Sequence, residues 1–226
     1  MGAALTPEQK AQVRRHTFRV LALHAATHEF ALDLSRHQGA IDWVKVDAYS
    51  HLAAIYTKAT QGVSIRDARF KANWQGAASV GIPRGAYLFY EPEMDPVKQC
   101  DLFSSVVDMR PGDLLPCVDL ERASPEQPAA IDEMRLQRVC DILELRYGAP
   151  PLIYTSKRYL DSEQILRLPS ACPLWVVDYV SETAPKMPRG VKEAVLWQVG
   201  CAPGVPGISG DVDRNLLLGS IESIRL

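Results

Sequence analysis

Leu114-Leu115-Pro116-Cys117-Val118-Asp119-Leu120-Glu121 is an apolar run that stops on two carboxylates. It reads as a short buried strand. Side chains alternate faces along a strand, so Asp119 and Glu121 point one way and Leu120 the other. Two residues of rise separate the acids by roughly 6–7 Å. Acids are rarely buried unless paired or used. The plain reading is a strand that runs out into solvent. The sharper one is a general acid/base pair, and the neighbouring segments decide between them.

Upstream, Phe30–Ser35, Leu52–Lys58 and Gly85–Tyr90 read as strands. Ala59 to Gly62 reads as a loop. Asp67–Val80 and Asp95–Val107 read as helices, with Phe70, Trp74, Ala77 and Ala78 on the apolar face of the first. Downstream, 121–128 reads as a loop and Ala129–Tyr147 as a helix closed by Gly148. Leu152–Thr155 is a strand and Ser156–Leu166 a helical stretch. Leu174–Tyr179 and Ala194–Val199 are further strands. A Gly/Pro-rich loop then ends in Asp211-Val212-Asp213-Arg214-Asn215, with Asp211 read as a turn cap. Strands that alternate with helices imply a parallel α/β sheet covered on both faces. Seven or eight of them without a long linker imply closure into an irregular, TIM-like (β/α) barrel with fewer than eight helices.

The 226 residues are 47% hydrophobic, enough for one such core. Net charge is −2 and no basic stripe is present, which argues against nucleic acid as a partner. The five cysteines form no CxxC and no zinc spacing, and read as mostly buried free thiols. No apolar run is long enough to span a bilayer. Near the N-terminus, Arg19 and His24 interrupt the apolar stretch that a secretory leader would need. Thr6-Pro7-Glu8-Gln9 instead reads as a helix start, with a Thr cap, Pro at the first position and Gln at the third. The expected layout is a helical extension over 1–28 and a catalytic barrel over 29–226.

Asp33, Asp119, Glu121, Asp178 and the Asp211/Asp213 pair all fall at or just past expected strand ends. In a parallel barrel those ends share one face, and that face carries the active site. Tyr87, Phe89, Tyr90, Tyr154, Trp175, Tyr179 and Trp197 fall near the same ends, with Lys58. Acids lined by aromatics suit a carbohydrate cleft. Two close carboxylates cannot both ionise cheaply, so one should keep a proton near neutral pH. Asp178 reads first as a loop-bonding residue, and His37 as a solvated loop histidine.

Ala31-Leu32-Asp33-Leu34-Ser35 with Gln38-Gly39 and Ile41-Asp42-Trp43 resembles the opening of glycoside hydrolase family 25, the Chalaropsis-type lysozymes. The likeness continues through Lys58–Gly62, Gly85–Phe89, Asp119-Leu120-Glu121, Tyr154-Thr155, Leu174-Trp175, Trp197-Gln198 and Val212–Asn215, about residues 29–219 in all. The resemblance implies a muramidase that cuts the β-1,4 bond between N-acetylmuramic acid and N-acetylglucosamine in peptidoglycan. It implies Glu121 as general acid/base, Asp119 as the carboxylate that stabilises an intermediate built from the sugar's own 2-acetamido group, and Asp33 and Asp213 as supporting acids. Tyr87, Phe89, Tyr154, Trp175, Asp178, Trp197 and Lys58 are the expected substrate contacts. No metal or cofactor is expected, nor any membrane partner, and the protein is expected to be a monomer. Its expected place of action is the bacterial wall or periplasm, as an endolysin or a delivered lytic effector. Gln61 and Leu88 stand where such enzymes usually carry Glu and His near the cleft. The rival readings are a glycan-binding protein on an impaired barrel, and a metal-dependent hydrolase that uses the same acids as oxygen ligands.

Overall fold

A computed structural model describes residues 6–121, 131–162 and 167–226. Most of the expected loop at 121–128, the start of the helix expected from Ala129, and the end of the stretch 156–166 lie outside the described residues.

The strands are β1 (Phe30–Leu34), β2 (Leu52–Gln61), β3 (Ile65–Arg66), β4 (Arg84–Phe89), β5 (Cys117–Asp119), β6 (Leu152–Ser156), β7 (Leu174–Val177), β8 (Leu196–Ala202) and β9 (Val212–Leu217). The helices among the described residues are α1 (Pro7–His24), α2 (Trp43–Asp47), α3 (Phe70–Ser79), α4 (Pro96–Ser104), α5 (Glu133–Tyr147) and α6 (Lys157–Ser162). The sheet runs β1-β9-β8-β7-β6-β5-β4-β2-β3, and β1 also pairs with β2. The barrel is therefore closed by eight strands, with β3 as a short flap on β2. Closure leaves the barrel itself no free edge.

Local chemistry explains most element ends. Thr6 and Gln9 form a full capping box ahead of Pro7. Asp95 and Asp132 cap α4 and α5, and Gly148 closes α5 in the left-handed conformation.

Three expectations are corrected. First, the sheet is mixed. β9 is antiparallel to both β8 and β1, where the sequence reading stopped at a loop. Second, β2 runs on through Ala59 to Gln61, because Thr60 and Gln61 pair with Arg66 and Ile65 of the flap and with Leu88 and Phe89 of β4. Third, the apolar run at 114 is half strand only. The amides of Leu114 and Leu115 donate to Arg84 and Ile224, and Pro116 has no N–H to give, so the regular ladder starts at Cys117. On α3, Asn73 takes the buried place expected of Ala78, which is exposed.

The barrel interior is filled by side chains rather than left as a pore. Tyr56 and Trp175 meet there with ring centroids 5.0 Å apart. Tyr56 is admitted because Gly85 on the next strand has no side chain: a Cβ there would lie 2.2 Å from the tyrosine ring. Outside, α4 and α5 cover β4–β6 through Phe103, Val139 and Leu143. On the wall of β8 and β9, no α-helix among the described residues follows either strand in sequence, only a 3-10 turn at Ile221–Ile224. There α1 takes the vacant place, packing Val20 beside Trp197, Val199 and Leu216. Gly200, at φ 136°, lets α1 approach: an added Cβ would sit 2.4 Å from Thr17 Oγ1. Arg14 pairs with Asp211 and Arg19 with Glu182, so Asp211 anchors α1 rather than capping a turn.

Candidate active site

The C-terminal ends of the parallel strands open on a cleft of about 480 Å³. Asp33 comes from the end of β1, Lys58 and Gln61 from β2, Tyr87 and Phe89 from β4, and Asp119 ends β5, with Glu121 two residues on. Tyr154 and Trp175 come from β6 and β7. Asp213 enters from the start of β9, not from a strand end. Because β9 runs the opposite way, its beginning lies on the same face as the ends of its neighbours.

All four expected acids line this cleft, as do Lys58, Tyr87, Phe89, Tyr154 and Trp175. Trp197 and Asp178 do not, which corrects two expected contacts. Trp197 is fully buried in the outer layer, edge-on to His24 of α1, and its Nε1 donates to the Asp178 carbonyl at 2.9 Å. The Asp178 carboxylate ties its own loop, accepting from the amides of Val180, Ser181 and Lys186. Alternation along β8 turns Gln198 inward instead of Trp197. Leu88 also faces away, into the core under the helices, so it is not part of the cleft. His37, expected to be solvated, lies at the rim.

The floor is a connected polar network. Asp33 Oδ2 accepts from Gln198 Nε2 and Asn215 Nδ2, each at 2.9 Å. Gln198 Oε1 accepts from Tyr154 Oη at 2.8 Å and from Tyr179 Oη. Asn215 Oδ1 accepts from Trp175 Nε1 at 2.8 Å. With its carbonyl held by two phenols, Gln198 has only its amide to offer Asp33. Tyr179, expected only as a strand-end aromatic, lines the cleft, and Gln198 and Asn215 were missing from the expected contacts. A lone Gln in the apolar run Ala194–Val199 was the available signal for one of them.

Burial pushes the Asp33 carboxyl up, and the two amides and Asp213 pull it back down. Asp213 lies well above the carboxylate range, through burial and the neighbouring charges of Asp33 and Glu121. The pair thus shares one proton, held on Asp213 and donated to Asp33. Asp119 is raised strongly by burial and by Glu121, against the pull of Lys58. Its Oδ1 is buried and has no hydrogen-bond partner among the described residues. Glu121 is raised by burial to about 7, again opposed by Lys58. Lys58 is itself lowered by burial, while Asp119, Asp67 and Glu121 act to raise it. Lys58 Nζ sits 4.3 Å from the Phe89 ring centroid and donates to Gln61 Oε1 at 2.8 Å; Gln61 Nε2 donates to Glu91 at 2.7 Å. Gln61 thus bridges a cation and an anion. Among the described residues no group of His, Cys, Asp or Glu is arranged to hold a metal ion.

Residues 32–208 match glycosyl hydrolases family 25. The chain belongs to that family. It is a glycoside hydrolase. Lysozyme M1 of Streptomyces globisporus is 32% identical over 200 residues, covering 84% of this chain and 67% of that one. The YegX protein of Escherichia coli K12 is 28% identical over 198 residues, covering 86% and 71%. The crystal structure of a lysozyme from Streptomyces coelicolor superposes with a TM-score of 0.77 at 28% identity, covering 88% of this chain and 95% of that one. The matched region begins after α1, so the helix that covers β8 and β9 lies outside it.

Proposed function

We propose that this protein is a muramidase that hydrolyses the β-1,4 bond between N-acetylmuramic acid and N-acetylglucosamine in peptidoglycan, with Glu121 as general acid/base and Asp119 as the stabilising carboxylate. The observation that carries the reading is the pairing of these two acids. Burial pushes Glu121 up to about 7; Asp119 is buried, and its Oδ1 has no partner among the described residues.

Before substrate binds, Asp119 has every reason to keep a proton: it is buried and faces Glu121. A 2-acetamido N–H placed against the free Oδ1 supplies the missing donor. Hydrogen bonding to the charged form favours that form. Substrate therefore shifts the balance, leaving Asp119 ionised and the proton on Glu121. Glu121 gives that proton to the glycosidic oxygen as the acetamido carbonyl oxygen attacks the anomeric carbon. Water then opens the cyclic intermediate, and Glu121 takes the water's proton. Lys58 limits the build-up of negative charge. Asp33 and Asp213 hold the floor, and Tyr87, Phe89, Tyr154 and Trp175 give the sugar rings apolar faces. We place the site of action at the bacterial wall, reached as an endolysin or a delivered lytic effector.

The test is digestion of purified peptidoglycan followed by mass analysis. New reducing ends on muramic acid are expected. Reducing ends on glucosamine, or cleaved peptides, would refute the reading.

A further inference from the structure

The cleft has a neighbour. Across the two-residue strand β3 lies a second groove, of about 590 Å³, and Asp67 lines both. Alternation along β3 turns Ile65 into the cleft and Arg66 into the groove. The groove floor is apolar, formed by Phe70 and Trp74 stacked at 5.5 Å between centroids.

Its charge is the reverse of the cleft's. The cleft gathers five carboxylates against Lys58 and Arg36. The groove presents Arg66, Lys71, Arg84 and Arg110 against Asp67 and Asp108. Asp67 is already engaged, accepting from the amides of Arg36 and Arg69 at 3.0 and 2.9 Å. Arg84 is engaged too, held over Trp74 at 4.0 Å and paired with Asp113 at 2.9 Å. Of the other three, Arg110 shares an exposed pair with Asp108, and Arg66 and Lys71 are available. Arg66 reaches a neutral partner, Ser105 Oγ, at 3.3 Å. Lys71 has no ion-pair partner among the described residues. Arg110 touches Asp108 at 3.4 Å with its side chain 74% exposed. Two uncommitted cations, Arg66 and Lys71, beside an apolar floor that is continuous with an acidic cleft suit an anionic chain that leaves the cleft sideways.

The next step rests on the muramidase reading. A muramic acid residue carries a lactyl group extended by a short peptide with free carboxylates. We infer that the groove beyond β3 binds the carboxylates of that peptide stem, with Arg66 and Lys71 as its charged contacts. Glycan strands with stems are then preferred to bare strands, through residues that touch no sugar.

The test uses soluble glycan strands free of teichoic acid, either keeping their stems or stripped of them by an amidase. Affinity is measured by calorimetry in the Glu121→Gln protein, with and without Arg66→Glu and Lys71→Glu together. Both side chains are exposed, and circular dichroism checks that the fold is kept. The charge reversal should weaken binding to stem-bearing strands about tenfold and leave binding to bare strands unchanged. The inference is overturned if the parent binds both polymers alike, or if the variant loses equally on both or on neither. Failure of the muramidase reading is a separate result: the wild-type protein would release no muramic acid reducing ends from either polymer.

Discussion

Asp33 and Asp213 stand directly opposite each other on the antiparallel β1–β9 ladder, and their carboxyls share a hydrogen bond. Direct cross-strand neighbours are about 5 Å apart and point to the same face. A second acid opposite the first would be repulsive if both were charged. Gln198 and Asn215 resolve this by donating to Asp33 alone, which settles the shared proton on Asp213.

Asp33→Ala should therefore cost more than a lost contact. It leaves the Gln198 amide without its acceptor beneath the cleft, a loss of about 1–3 kcal/mol. Asp213→Asn still offers Asp33 a donor and should stay within about 1 kcal/mol of wild type. Chemical denaturation of the two variants checks both. Equal destabilisation would mean that the proton is not placed as argued.

The pH dependence of kcat/KM should have its alkaline limb near Glu121's value of about 7. A general acid works protonated, so activity holds below that value and falls as pH rises through it. Lys58 lowers the Glu121 value, so Lys58→Met should move the limb to higher pH. A limb that stays in place would remove Lys58 from the electrostatics of the pair.

Glu121→Gln should lower turnover by about 10²–10⁴-fold on purified walls. Near-normal turnover would sink the assignment. The same change should help the fold at alkaline pH. The Glu121 value is raised from 4.5 to about 7. The native state thus binds more protons than the unfolded chain between those values, and stability falls as pH rises through that window. A glutamine removes the penalty, on the order of 1–2 kcal/mol after discounting for partial exposure. Melting curves at pH 5 and pH 8 should show a gain at pH 8 only.

Anchimeric attack by the acetamido group inverts the anomeric centre once and water inverts it again. The first-formed product should be the β anomer, read by proton NMR before mutarotation. An initial α anomer would make Asp119 the base of a single inverting displacement.

Removal of residues 1–28 should lower the melting temperature markedly, because it uncovers Trp197, Val199 and Leu216, against which no other helix among the described residues packs. Gly200→Ala should act in the same direction, since both its φ of 136° and the contact with Thr17 oppose a side chain. A truncated barrel as stable as the full chain would show that α1 is an appendage.

Much of this molecule is legible in the order of its residues. Strands ending in acids, interleaved with helices, imply that Asp33, Asp119 and Glu121 meet on one face, because parallel strands must end together. The residues Thr6, Asp95 and Gly148 mark helix ends by local chemistry alone, whereas the start of α5 after Asp132 was expected at Ala129. Other features were set only by the closed barrel. A two-residue alternation carries no direction, so nothing local says that β9 runs backwards and delivers Asp213 from its start. A strand buried on both faces has two sets of side chains, and its pattern does not say which set looks inward. That is why Trp197 was expected in the cleft where Gln198 stands. The place of α1 on the far wall, and the two phenols that lock Gln198 onto Asp33, depend on partners between 19 and 197 residues away. The sequence by itself determined which groups could do the chemistry. Barrel closure decided which of them face one another, because burial in a shared cleft, not neighbourhood in the chain, sets their protons.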